Sequence, residues 1–364
     1  MVGQKAFWLG LAASAALLAA FAYLFLPRQD IGDVLRDADL RYVLPSLVLY
    51  FLAVWARSWR WRYILRPLIG KPRRSLYPVV VVGYMANNIL PIRLGEIVRS
   101  YYTSLREPIS PAAAFGTVAV ERASDVVTLL FFLAVVWIAL PTSGLLDELS
   151  ASVPGGAPVL ISVSVLPFIG VTGVMVVISL VSESTVLRWI GRFLTPMPPG
   201  IQAKALSISE RLIEGLTVLR SPKALGAVLL MSLPVWLFEA AMLAVIALGF
   251  DIADSFDTNA EFLAAILLFT AVANLAGVVP SVSGGIGPFE FFGAATLVAA
   301  GVADAEAATY VITAHVALLV PVSILGVVML LLDGTSLRSL VKKAETGPAG
   351  LEIESSSGAP ESAA

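Results

Sequence analysis

Long apolar runs alternate with short polar segments along this chain, and the runs have the lengths that membrane helices require. Ala6 to Leu26 is apolar for roughly 20 residues, enough to cross ~30 Å of hydrocarbon as a helix. No clear cleavage site follows it, so a retained span is expected rather than a leader peptide. Leu40 to Trp55 predicts the second span. Leu76 to Leu90 is too short to cross comfortably and ends in Asn87, Asn88 and Pro91. That pattern predicts a helix that breaks at membrane depth and turns back as a short helix from about Ile92. Pro111 to Leu140 re-enters as one run of roughly 30 residues, ~45 Å at the helical rise. Val159 to Val181 and Ala224 to Phe250 predict two more spans. Phe262 to Pro280 then enters a glycine-rich break, SVSGGIGPFEFFGAATLV, and Ala307 to Leu332 closes the series.

This order predicts an all-α polytopic membrane protein built from two inverted-topology repeats, each with about three full spans and one broken re-entrant helix pair. The halves fall at about 6–140 and 159–332, joined by a connector at about 182–223, and together make a membrane domain over 1–332. The remainder, 333–364, carries Glu345, Glu352, Glu354 and Glu361 among Gly, Ser, Ala and Pro and reads as a disordered tail.

Composition excludes a soluble domain: 58% of the 364 residues are hydrophobic, 14% are charged, and the mean hydropathy is +0.88. A formal net charge of −2 gives no signal for nucleic acid. The absence of cysteine rules out disulfides and thiolate chemistry. A single histidine, His315, leaves no room for a multi-histidine metal site, so no metal or cofactor is expected.

The distribution of charge between loops sets the expected orientation. Arg57, Arg60, Arg62, Arg66, Lys71, Arg73 and Arg74 follow the second span with no acid among them, which places that segment and the amino terminus in the cytoplasm. Trp55, Trp59, Trp61 and Tyr63 are interleaved with them, as suits either an interfacial anchor or a lipid-headgroup site. The segments holding Asp147 and Glu148, and Asp251, Asp254, Asp257 and Glu261, are acidic and expected outside. Ser182 to Lys223 is basic and expected to lie on the cytoplasmic membrane surface. Arg338, Lys342 and Lys343 place the carboxyl terminus in the cytoplasm as well.

Against this apolar background the stretch from Met85 to Asp125 concentrates Asn87, Asn88, Arg93, Glu96, Arg99, Glu121, Arg122 and Asp125. Ionisable groups at membrane depth cost on the order of 3 kcal/mol each and persist mainly where they face one another, water or a ligand. On a helix Arg93, Glu96 and Arg99 share one face, with the glutamate between two cations. Arg122 and Asp125 stand one turn apart and can pair, which leaves Glu121 without an account. Glu239 is either a site residue or a carboxylate held by a structural partner. Gly284, Gly285 and Gly287 either let backbone N–H groups approach a ligand or only permit close helix packing. In the first case Pro288 and Glu290 begin a helix whose start favours a phosphate or carboxylate. His315 reads as a packed or hydrogen-bonded residue before it reads as a proton carrier.

The runs NNILPIRLGEIVRSYY, ERASD and VVPSVSGGIGPFEFF, in that order, resemble the signatures of the flippase-like membrane family that includes the transmembrane region of lysylphosphatidylglycerol synthase. The resemblance covers about Ala6 to Leu332. It implies a bacterial or archaeal inner-membrane protein that moves an aminoacylated, glycosylated or polyprenyl-linked lipid between leaflets, with a separate lipid-modifying enzyme as a partner. The synthase activity is not expected to carry over, because in the bifunctional synthase a soluble transferase domain follows the membrane region and here about 30 residues, Asp333 to Ala364, follow it. Flipping of a membrane phospholipid or glycolipid is therefore the expected function. Arg93, Arg99, Arg122 and the helix start after Gly287 would hold an anionic headgroup, while Glu96, Glu121, Asp125 and Glu290 balance charge or relay a proton. The alternatives are an integral-membrane lipid transferase and a carrier of a soluble organic anion.

Overall fold

A computed structural model describes residues 2–26, 31–90, 94–139, 156–279, 281 and 283–345, and all its regular structure is helical, with no strand among the described residues. The elements are α1 (Val2–Phe25), α2 (Ile31–Asp37), α3 (Val43–Ile69), α4 (Tyr77–Ile89), α5 (Gly95–Ser104), α6 (Pro111–Ala139) and α7 (Gly156–Leu180). They continue with α8 (Glu183–Leu194), α9 (Pro199–Gly215), α10 (Pro222–Leu248), α11 (Asn259–Leu275), α12 (Pro288–Ala299), α13 (Asp304–Leu332) and α14 (Leu337–Glu345). Among the described residues, four segments are long and apolar enough to cross a membrane: Trp8–Phe25, Leu40–Ile69, Pro222–Leu248 and Asp304–Leu332. With no water to satisfy backbone groups inside a bilayer, helices are the form such segments must take.

Two long helix pairs form the centre. α3 packs along α10, α13 packs along α4, and α6 lies against α5, α10 and α11. Their shared core includes Tyr50, Trp61, Met85, Phe269, Phe289 and Tyr310, with Phe269 set edge-on to Phe289 at 5.8 Å.

The first helix break is a tight hairpin. α4 stops at Ile89, and α5, starting at Gly95, folds back on it. A Cβ on Gly95 would stand 2.3 Å from the Gly83 carbonyl oxygen, so only glycine allows this crossing. The Gly95 N–H donates to Asn87 Oδ1 at 2.8 Å, which satisfies a backbone group that the start of α5 would otherwise leave open. The second break follows α11, with Gly284, Gly285 and Gly287 at φ +74°, +80° and +101°, a region that glycine alone enters easily.

Three sequence expectations change here. The second span does not end at Trp55: α3 continues to Ile69, and Arg57, Arg60 and Trp61 are buried in it rather than lying in a cytoplasmic loop. Trp55 and Trp59, on the opposite side, remain exposed and stack at 6.1 Å. The connector does not simply lie on the membrane, because α9 is docked onto α6. A Cβ on Gly215 would meet the Ala113 carbonyl at 2.3 Å, and one on Gly116 would meet the Leu212 carbonyl at 2.4 Å. The tail is not disordered from 333: α14 packs against α5 with Leu340 buried, and Asp333 pairs with Arg106 and accepts from the Tyr102 hydroxyl at 2.5 Å. The acidic segment with Asp147 and Glu148 and the tail beyond 345 lie outside the described residues.

Candidate functional site

Eight charged side chains of α3, α5, α6 and α10 form one network. Arg57 of α3 is buried and donates to Glu239 of α10 at 2.6 Å, with its guanidinium 4.9 Å from the Trp236 ring centre. One turn on, Arg60 donates to Asp125 of α6 at 2.7 Å and to the Ser232 hydroxyl at 2.6 Å. Trp236 Nε1 shares Asp125 Oδ1 at 3.1 Å. Arg99 of α5 grips Glu121 with both Nη atoms, at 3.0 and 2.7 Å, and lies 3.8 Å over the Trp61 ring. Glu121 also stands 3.6 Å from Arg60 and 3.1 Å from Arg122. Buried ions are tolerated only when such geometry compensates desolvation. The four arginines 57, 60, 99 and 122 are matched by Glu96, Glu121, Asp125 and Glu239, so the network is neutral as a whole.

A cavity of about 420 Å³ opens on one side of this network. Asn87, Asn88, Glu96, Arg122, Asp125, Glu239, Gly284 and Gly285 all line it, and so do Arg57, Tyr84 and His315. Val126, Leu129, Leu275, Leu318 and Leu319 make its apolar wall. Asn88 Nδ2 ties α4 to α13 through the Leu319 carbonyl at 3.2 Å and Ser323 Oγ at 3.1 Å. Thus the first-half polar residues and the second-half glycines, far apart in sequence, meet at one space.

Arg122 is the cation of the network that is open. Its side chain is 37% exposed, against 0% for Arg60, 4% for Arg99 and 5% for Arg57. Nη2 donates to Glu121 at 3.1 Å and to the Tyr84 hydroxyl at 3.2 Å. Among the described residues, Nη1 has only Asp125 Oδ2 nearby, at 3.6 Å, and Nε only Glu96 at 3.6 Å, both beyond hydrogen-bond length.

Several sequence-derived site residues are placed elsewhere. Arg93 lies outside the described residues. Arg99 and Glu121 stand behind the cavity wall and hold each other, and Glu96 turns to Arg122 rather than to Arg99. The helix start after Gly287 is not an open anion site: the Gly287 N–H donates to Glu290 Oε2 at 2.7 Å. Gly287 is also packed so closely on α1 that a Cβ would meet the Ser14 carbonyl at 2.8 Å, so at this glycine close packing prevails. Gly284 and Gly285 remain at the cavity, and the Gly284 carbonyl faces His315 Nε2 at 3.1 Å. Sequence reasoning missed Arg57 and Arg60, whose spacing with Trp61 and Ile64 sets one buried face against Trp59, Arg62 and Arg66.

Spanning helices around a charge-lined internal cavity define an integral multi-pass membrane protein. The family model described as the lysylphosphatidylglycerol synthase TM region matches residues 7–326, and the chain belongs to that family. It is similar to the glycosyltransferase AglD of Haloferax volcanii, 29% identical over 295 residues, which are 75% of this chain and 46% of that protein. It is also similar to a UPF0104 membrane protein of Methanocaldococcus jannaschii, 35% identical over 119 residues, 32% of this chain and 35% of that one. The matches span less than half the length of either relative. No solved structure matches the chain.

Proposed function

We propose that the protein moves a lipid with an anionic headgroup across the bilayer, the headgroup entering the 420 Å³ cavity while the tails stay in lipid. The observation that carries this reading is Arg122, a cavity-lining cation whose Nη1 has no hydrogen bond to any described residue and whose side chain is the most exposed of the network's four arginines. An accessible guanidinium facing a partly apolar space suits a phosphate or carboxylate that comes and goes, because charge-assisted hydrogen bonds to such groups are the strong ones. The apolar wall of Val126, Leu129 and Leu318 suits the first carbons behind a headgroup. Two inverted halves with both termini in the cytoplasm, in a bacterial or archaeal inner membrane, would place the breaks after Ile89 and Val279 on either side of the site. The Haloferax relative is named a glycosyltransferase, which supports a glycosylated lipid among the cargo classes.

The test is leaflet exchange of a labelled anionic lipid in proteoliposomes, beside a thermal melt of each variant. Arg122→Gln should abolish exchange with little change in melting, and retention of exchange by that variant refutes the assignment. A second reading, lipid transferase, is favoured by Asp125 Oδ2, a buried oxygen with no hydrogen-bond partner that could serve as a base. Covalently altered lipid in the same vesicles would select it, and exchange of a short-chain soluble anion alone would select a carrier.

A further inference from the structure

The chain has one histidine, and it sits where its protons matter. His315 of α13 lines the cavity, with its ring stacked 4.1 Å from that of Phe289. Nδ1 lies 2.5 Å from Glu290 Oε1 and Nε2 lies 3.1 Å from the Gly284 carbonyl oxygen. A carbonyl oxygen only accepts, so Nε2 must carry hydrogen. The 2.5 Å approach of Nδ1 to a carboxyl oxygen also requires a hydrogen between them, whichever atom holds it. The pair therefore binds two hydrogens and is neutral, as imidazolium with carboxylate or as imidazole with carboxylic acid.

From this we infer that Glu290 and His315 form a proton-binding site whose occupancy latches the glycine segment of the cavity wall to α13. When one proton leaves to water in the cavity, the pair becomes an anion and keeps a single ring hydrogen. That hydrogen stays between Nδ1 and the carboxylate, because a bare nitrogen lone pair facing a carboxylate is repulsive. Nε2 then presents a lone pair to the Gly284 carbonyl, and the tie between His315 and Gly284 is lost. Glu290 keeps its bond from Gly287 and Ser14 Oγ still donates to the Ile286 carbonyl, so release is confined to the cavity end of the segment.

The other titratable groups around the cavity are already engaged or remote from this exchange. Arg57 of α3 and Glu239 of α10 hold each other; Asp125 of α6 is held by Arg60, and Glu96 of α5 faces Arg122. Tyr84 of α4 accepts from Arg122, Tyr50 of α3 is buried beside Arg57, and Tyr310 of α13 donates to the Leu243 carbonyl. An anion in the cavity favours the neutral pair over its anionic form, so anion and proton reinforce each other's binding. This deepens the transport reading by naming the proton as the coupling ion.

The test uses the absence of cysteine. Ser283→Cys places one thiol beside Gly284, and Ser339→Cys on the exposed face of α14 serves as the control for the pH dependence of thiol reactivity itself. The Ser283→Cys to Ser339→Cys labelling ratio should rise about fivefold with pH, the population change that one lost hydrogen bond produces. Its midpoint should coincide with the titration of the single histidine followed by ¹⁵N NMR in the same detergent. Glu290→Gln and His315→Gln should each flatten the ratio. A ratio independent of pH, a midpoint unrelated to the histidine titration, or pH dependence that survives His315→Gln overturns the latch. Because labelling and NMR need no transport, an intact latch in vesicles that move no lipid would refute the proposed function and leave the proton site standing.

Discussion

Replacing Glu121 by glutamine separates charges that hold the fold from charges that serve a ligand. Glu121 is fully buried and touches three arginines, with both oxygens taken by Arg99. Glu121→Gln keeps the shape but leaves the network with four cations and three carboxylates, the excess charge lying among Arg60, Arg99 and Arg122. Removing one partner of a buried ion pair costs roughly 3 to 5 kcal/mol, because the remaining charge is desolvated without compensation. At 1.36 kcal/mol per tenfold, that is about two to four powers of ten in the folding equilibrium. Arg122→Gln should cost no more than about 1 kcal/mol, since that side chain is 37% exposed, Glu121 and Asp125 keep other cations, and Glu96, which loses its cation, is 28% exposed and only 3.6 Å from it at present. The measurement is a melt in detergent followed by tryptophan fluorescence. Glu121→Gln should melt lowest, and the charge-balanced double variant Arg99→Met with Glu121→Met should recover much of the loss. If the double variant melts below Glu121→Gln, or Arg122→Gln is the least stable of the three, the network is not held by charge compensation.

Gly95→Ala should destabilise by about 1 to 3 kcal/mol, as overpacking does, because its Cβ would meet Gly83 oxygen at 2.3 Å. Gly226→Ala, with nothing within 4 Å, should be neutral or slightly stabilising in the same melt. The hydrogen bond from Arg106 holds the Asp333 carboxyl below its usual range, and Asp333 lies beyond the last span. Its folded value is depressed, so its contribution is complete above about pH 4 and is lost as pH falls through that lower value. Hydrogen exchange of Leu337–Glu345 should accelerate in that window, and Asp333→Asn should show the acceleration at neutral pH. A cysteine at Asp254 should react with an impermeant reagent in intact cells and one at Ser339 should not; the reverse would invert the proposed orientation.

Apolar run length and polar punctuation were enough to outline most elements from sequence. The hairpin after Asn87 and the helix from Pro111 through Glu121 fall close to where the pattern puts them. The pairing was not legible, because the partners lie far apart: Arg60 meets Asp125 across 65 positions and Arg57 meets Glu239 across 182. Arg57 and Arg60 were misread for a physical reason. A loop rich in arginine and a helix end with two arginines buried on one face have the same composition, and only their angular spacing separates them. Asn87 was legible as a break but not as the acceptor for Gly95, since a cap of this kind depends on the turn between them.

The glycine seam between α9 and α6 gives the buried site a handle outside it. Gly116 and Gly215 bring the two backbones so close that neither helix can slide without the other. Glu121, Arg122 and Asp125 lie one to three turns along α6 from that seam. Any rocking of α6 that carries Arg122 across the cavity must therefore swing α9, whose polar face bears Lys204, Glu210 and Arg211. A fluorophore at exposed Lys204 would report the excursion of a membrane-embedded arginine without touching the membrane-embedded part at all.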